Sequence, residues 1–218
     1  MTEQDGVKGA PERLPLFAED VKLTRRRAWS GFIGAVIVAA AFGGIAGLIG
    51  GQLAGLIVAV VVALPLLYIV LYTLRRRVWL EGTTLVVRTW GIRRIGLVEA
   101  ERLDIVIGDV RGTRTVSLLV NAGKRRKTVK VDLAVFAGTG GRELGALQLR
   151  RVADALLNNT EANGLVFSEL LVAELRSEAR GDAVAERPLY RLASAAPAGR
   201  YIQRFPMEAV SRFVATLE

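Results

Sequence analysis

The chain has 218 residues, 51% of them hydrophobic, with 30 Lys and Arg against 21 Asp and Glu, a formal charge of +9. Cysteine and histidine do not occur, which excludes disulfides, thiolate nucleophiles, imidazole bases and the usual zinc ligand sets. A basic excess of this size favours an anionic partner, either nucleic acid or the acidic face of a membrane.

Residues 1–28 are polar and Pro-containing and read as a cytoplasmic N-terminal tail. From Ala28 to Leu74 no side chain is charged. That run is about twice the ~20 residues one helix needs to cross a ~30 Å hydrocarbon core, so 29–74 is expected to be a transmembrane helical hairpin turning at Gly50-Gly51-Gln52. Arg25, Arg26 and Arg27 precede it, Arg75, Arg76 and Arg77 follow it, and the turn is uncharged. Positive flanks stay inside, so the expectation is a multi-pass protein of the cytoplasmic membrane with both termini in the cytoplasm. Trp29 and Trp79 lie beside the two Arg triplets, where an amphipathic ring sits at headgroup depth, and with them make up the candidate interface anchors.

The oiliest stretch, FGGIAGLIGGQLAG, holds six glycines, each a poor helix residue in water by ~1 kcal/mol relative to Ala. Every fourth position reads Gly31, Ala35, Ala39, Gly43, Gly47 on the first helix and Gly55, Ala59, Ala63 on the second. Lipid gives helices no hydrophobic reason to associate, and close backbone approach along small residues takes its place. These eight residues are the candidate helix-packing positions. Pro65 is expected to bend the second helix locally.

After Val78 the apolar period becomes two. LDIVI, TVSLLV and TVKVDL turn Leu103, Ile105, Ile107, Val116, Leu118, Val120, Val129, Val131 and Leu133 to one side. Turns at Glu81-Gly82-Thr83, Trp90-Gly91-Ile92 and Asn121-Ala122-Gly123 divide a curled antiparallel sheet of six or seven strands, which Gly140-Gly141 should end. RELGALQLRRVADALLN then predicts one helix with Ala146, Leu149, Ala153 and Leu156 on its buried face.

Together, the short apolar hairpin, its Arg-rich exit and VWLEGTTLVVRTWGIRRIGLVEAERL resemble the bacterial membrane-anchored pleckstrin-homology-like (PH-like) proteins, in a composition similar to actinobacterial chains. The resemblance runs over about residues 29–158. It implies a PH-like barrel or sandwich over 75–158, two bent sheets capped by a helix, that serves as a binding platform and brings no catalytic residues. The expected fold class is therefore an α+β membrane protein: a two-helix transmembrane hairpin, a cytoplasmic PH-like domain, and a helical tail with linker over 159–218.

Lys124, Arg125, Arg126 and Lys127 in GKRRKTVK fall at a hairpin tip and are the candidate lipid or anion contact, each cation near an acidic bilayer contributing about 1 kcal/mol; the alternative is a solvated tip. FAGTGGRELGAL is Gly-rich before a helix, but Glu143 stands where GxGxxG needs glycine, so a flexible helix start is expected. Glu99, Glu101 and Asp104 read as surface charge, and NNT at Asn158–Thr160 is a sequon by pattern only. No nucleic-acid signature accompanies the basic residues.

In the tail, GLVFSELLVAELRSEA and PMEAVSRFVATLE predict two helices, with Phe167, Leu170, Leu171 and Leu175, then Val210, Phe213, Val214 and Leu217, as their apolar faces. The expectation is that these dock on the barrel or on a second copy, the alternative being recruitment of a partner protein or lying on the membrane surface; ARGDAVAERP reads as linker. The function expected is a non-enzymatic scaffold, without cofactor or metal, that gathers protein or anionic lipid partners, or forms a homo-oligomer, at the inner membrane face. The alternative is a subunit of an oligomeric transporter or channel regulated by its soluble domain, for which Gln52 is the main polar candidate.

Overall fold

The charge-free run forms the longest element, α1 (Val21–Arg75), in a computed structural model that describes residues 13–16, 21–75, 77–123, 128–138, 140–197 and 201–217, with backbone only at 21–28 and 73. Helical geometry fails at Gly51, whose φ of 83° and ψ of 172° lie outside the right-handed helical region. Only glycine takes that conformation cheaply. A Cβ on Gly31 would lie 3.2 Å from Val70 Cγ2. Thirty-nine positions of straight helix span ~58 Å, so the limbs before and after Gly51 run back along each other. α1 begins at Val21, eight residues before the expected start.

The period-two stretches form strands. β1 (Arg13–Pro15), β2 (Arg77–Glu81), β3 (Thr84–Arg88) and β4 (Ile92–Gly96) make a four-stranded sheet in chain order. The second sheet has the order β8-β7-β6-β5-β9, built from β5 (Arg102–Val110), β6 (Thr113–Asn121), β7 (Thr128–Ala137), β8 (Gly140–Glu143) and β9 (Ile202–Phe205). The expected single curled sheet of six or seven strands is thus two antiparallel sheets with nine strands among the described residues. Its expected end at Gly140-Gly141 is a strand, with Gly141 opposite Phe136 and Glu143 opposite Ala134.

A bulge explains one departure from simple alternation. Val116 pairs with Ala134 but Ser117 with Asp132, so Leu133 is the extra residue of β7. Leu133 and Ala134 are consecutively buried as a result, and Phe136 instead of Val135 follows them inward.

The helices are α2 (Ala146–Leu157), α3 (Gly164–Arg180), α4 (Pro188–Ala195) and α5 (Met207–Val214). α2 packs along α3, and α3 along α4 and α5. Leu149, Val152, Ala153 and Leu156 of α2 are buried, as are Phe167, Leu170 and Leu171 of α3. Ala146, expected inside, is exposed.

The segment 159–218, expected as a tail beyond the domain, is part of the same compact unit as β5–β8, and β9 pairs with β5 from Ile105–Phe205 to Gly108–Ile202. Likewise 13–16, expected within the N-terminal tail, supplies β1 on β2 and the buried Leu16. The expected linker contains the end of α3, a 3-10 turn at Val184–Glu186 and the start of α4. Two compact units result: Ala18–Arg77 with Val87–Ile92, and the remainder.

Candidate functional site: the apolar limbs and their aromatic end

The limbs of α1 meet along small residues. Ala35 and Ala39 are each 6% exposed, and Gly43 and Gly55 are buried between the limbs. A Cβ on Gly43 would stand 2.7 Å from Ala59 Cβ and 2.9 Å from Gly55 O; one on Gly55 would stand 2.6 Å from Gly43 O and 2.8 Å from Gly47 Cα. No side chain fits there, so the backbones approach as closely as glycine permits. Ala63 is half-buried further along the second limb.

Large aliphatics point outward. Leu48 is 90% exposed and Ile37 62%, with Ile45, Leu53, Val61 and Leu64 also exposed. Covering a side chain of this kind is worth ~1.5–3 kcal/mol in water, so the distribution is inside out for an aqueous helix pair. Trp29–Tyr72, 44 residues whose most apolar 18-residue window has mean hydropathy 2.8 and is 6% buried, is a segment long and apolar enough to cross a membrane.

At the end of the second limb the aromatic ring partner comes from the β3–β4 turn. Trp90 stacks on Tyr68 with ring centres 5.8 Å apart and planes 6° from parallel. The Arg75 guanidinium lies 4.9 Å from the centre of the Trp90 ring, within cation–π range. Trp29, 57% exposed, makes an edge-on contact with Phe32 at 6.2 Å.

The expected anchors therefore separate. Trp79 sits on β2, half-buried, and its Nε1 donates to Glu81 Oε1 at 2.9 Å; it is a sheet residue hydrogen-bonded on its own strand. Arg13 Nε donates to the same oxygen at 2.9 Å. The Trp79 hydrogen bond, with the charges of Arg13 and Arg94, holds the Glu81 carboxyl below its ordinary range. Arg75 ends α1 and Arg77 opens β2, both exposed. Arg25, Arg26 and Arg27 lie on the first turns of α1, their side chains outside the described residues, as is Arg76. Lys124, Arg125, Arg126 and Lys127 also lie outside the described residues, in the connection closed by the Asn121–Thr128 pair of β6 and β7.

A second cluster joins β8, α3 and the start of α4. Arg187 Nη1 donates to Glu143 Oε2 at 2.5 Å, and Glu174 Oε2 accepts the Leu189 N–H at 2.7 Å. Glu174 is fully buried, and Oε1 of both glutamates is buried without a hydrogen-bond partner among the described residues. Burial, reinforced by the Glu143 charge, pushes the Glu174 carboxyl up to about 7 against the Leu189 N–H and Arg187, which favour ionisation. A proton on Glu174 supplies a donor that the ionised pair lacks. The carboxyls bind the helix layer to the sheet edge.

An open groove of ≈ 270 Å³ is lined by Glu101, Asp104, Glu161 and Glu208 around Arg102. Asp104, expected at the surface, is 3% exposed and accepts from Arg102 Nε at 3.0 Å. Among the described residues no group of acidic side chains is arranged to hold a metal. Asn159 of the NNT pattern is buried, its Nδ2 donating to Leu97 O at 2.7 Å and Ala100 O at 2.9 Å. It ties the α2–α3 corner to the segment leading into β5. The Gly-rich stretch expected as a flexible helix start runs from the end of β7 through β8 to the first residues of α2.

Sequence reasoning missed Trp90, read only as a turn residue, and Glu174. For Glu174 a signal existed: it lies four residues after Leu170 and three after Leu171, on the apolar stripe itself. Comparison with protein-family models, with characterised proteins and with solved structures finds no match.

Proposed function

We propose that this chain is a non-enzymatic integral membrane protein in which α1 crosses the cytoplasmic membrane twice and the two-sheet domain is a PH-like binding platform for protein or anionic lipid partners at the inner face. The break at Gly51 carries this reading. A straight helix over the 44 apolar residues would be ~66 Å long, more than twice a ~30 Å hydrocarbon core. Two limbs of about half that length each match the core. Their outward Leu and Ile then face acyl chains, and their small residues provide the close approach on which helix pairs in lipid depend. Arg25–Arg27 lie near the start of the limb pair and Arg75–Arg77 near its end, with only Gln52 as a polar side chain at the turn, which favours two cytoplasmic ends.

Two successive antiparallel meanders followed by α2 support the PH-like reading of the domain. The basic β6–β7 connection is the part of it we assign to anionic headgroups. The platform role is supported by the tethering of the domain to a bilayer.

The test is topological. A reporter active only in the cytoplasm, fused after residue 218 of the full chain, is expected to be active, with the protein retained in membranes through alkaline carbonate extraction. A silent reporter rejects the orientation, and release into the supernatant rejects the membrane spans.

A further inference from the structure

The β3–β4 turn is tight, with the Thr89 N–H donating to Gly91 O at 3.0 Å, and it presents Trp90 at 55% exposure and Ile92 at 61%. Lone exposed apolar residues are ordinary. Here the weight falls on what Trp90 touches. Its ring lies flat on Tyr68, which belongs to the 44-residue apolar segment and stands seven residues, or ~10 Å, before Arg75 along the helix. Arg75 reaches the same ring with its guanidinium.

We infer that the β3–β4 turn is a second lipid-contacting element, whose Trp90 and Ile92 side chains lie in the interfacial layer of the bilayer beside the end of α1. The inference rests on the membrane reading proposed above. The polar layer on each side of a bilayer is ~5–8 Å deep, so a helix with Arg75 among the phosphates carries Tyr68 at the edge of the hydrocarbon. A ring stacked on Tyr68 sits at that depth too. Trp and Tyr favour this level because their rings are apolar with one polar edge, and an Arg beside them reaches out to the headgroups. The exposed guanidinium of Arg88 immediately precedes the turn in sequence and suits an anionic surface.

The chain holds three tryptophans and no cysteine, which makes the test direct. W29F/W79F leaves Trp90 as the sole emitter in full-length protein reconstituted into phosphatidylcholine–phosphatidylglycerol vesicles. Its emission should be shifted to the blue, quenched more by lipids brominated near the headgroup than by lipids brominated at the chain end, and poorly quenched by aqueous acrylamide. Should loss of the Trp79 hydrogen bond disturb folding, a nitroxide on I92C in the otherwise natural chain reads the same depth, through greater relaxation by oxygen than by a water-soluble nickel complex. Acrylamide quenching of Trp90 without lipid quenching, while Trp29 alone in W79F/W90F is quenched by lipid, overturns the inference and leaves the membrane reading standing. Absence of lipid quenching at both Trp29 and Trp90 overturns both.

Discussion

The two helix pairs of this molecule are built in opposite radial order. Along the limbs of α1 the buried line is Ala35, Ala39, Gly43 and Gly55, and the exposed surface is Ile, Leu and Val. Between α2 and α3 the buried line is Leu149, Leu156, Phe167, Leu170 and Leu171, and Arg150, Arg151, Asp154, Glu169 and Arg176 face out. Helical periodicity is common to both; what differs is which residues the surroundings accept. Water drives large apolar side chains together, whereas, in the membrane reading proposed above, acyl chains leave only van der Waals fit and backbone approach to hold the limbs in contact.

The sharpest way to break the contrast is to remove one large side chain from each pair. Phe167→Ala is expected to destabilise the α2–α3 layer by ~3–5 kcal/mol through lost transfer energy and a cavity. Leu48→Ala, at a side chain 90% exposed, should leave the unfolding of detergent-solubilised full-length protein unchanged. Denaturant titration followed by circular dichroism reads both. Equal losses would mean that α1 is packed as an aqueous core.

Glu174 is the exception within the α2–α3 pair, since it occupies a core position with a group able to ionise. Its folded value of about 7 lies above the ordinary 4.5. Between those limits the folded protein keeps a proton that the unfolded chain releases. Its contribution is therefore full below pH ~4.5 and is lost as pH rises through ~7. Glu174→Gln stays uncharged and still accepts the Leu189 N–H, so it should match the natural protein near pH 4.5 and exceed it at pH 8 by up to about 3 kcal/mol. An unaltered pH slope in the variant would assign the titration to another group.

These contrasts also mark what could be read from the sequence. The charge-free run, its flanking arginines and the alternation of β5, β6 and β7 declare themselves locally, because each is a pattern within one short window. β9 does not: Ile202–Phe205 is four residues long and its partner Ile105–Gly108 lies nearly a hundred positions upstream, so nothing within its own window marks it as a strand. The same holds for β1, three residues that pair with β2 across the whole of α1. The bulge at Leu133 was hidden for a different reason. The run Val129 to Leu133 alternates normally, and only the offset between Ala134–Val116 and Asp132–Ser117 exposes the extra residue. Of the candidate sites, the small-residue stripe was legible because its period is regular. The Tyr68–Trp90 stack was not, since stacking partners twenty-two residues apart follow no period.

The smallest expected effects come from two glycines of one limb, and they differ in sign. An added Cβ at Gly34 meets nothing within 4 Å, so Gly34→Ala should gain the ~0.5–1 kcal/mol by which Ala surpasses Gly within a helix. At Gly43 the same methyl group would meet Ala59 Cβ at 2.7 Å and the Gly55 carbonyl oxygen at 2.9 Å. The second contact is backbone and cannot rotate away, so the limbs must separate, at a cost of ~1–3 kcal/mol. Helix propensity is equal at the two sites, which leaves limb contact as the difference. Thermal melting of the helical signal in mild detergent should therefore rise for Gly34→Ala and fall for Gly43→Ala. A rise in both would show that the limbs do not hold each other along this stripe in the isolated protein.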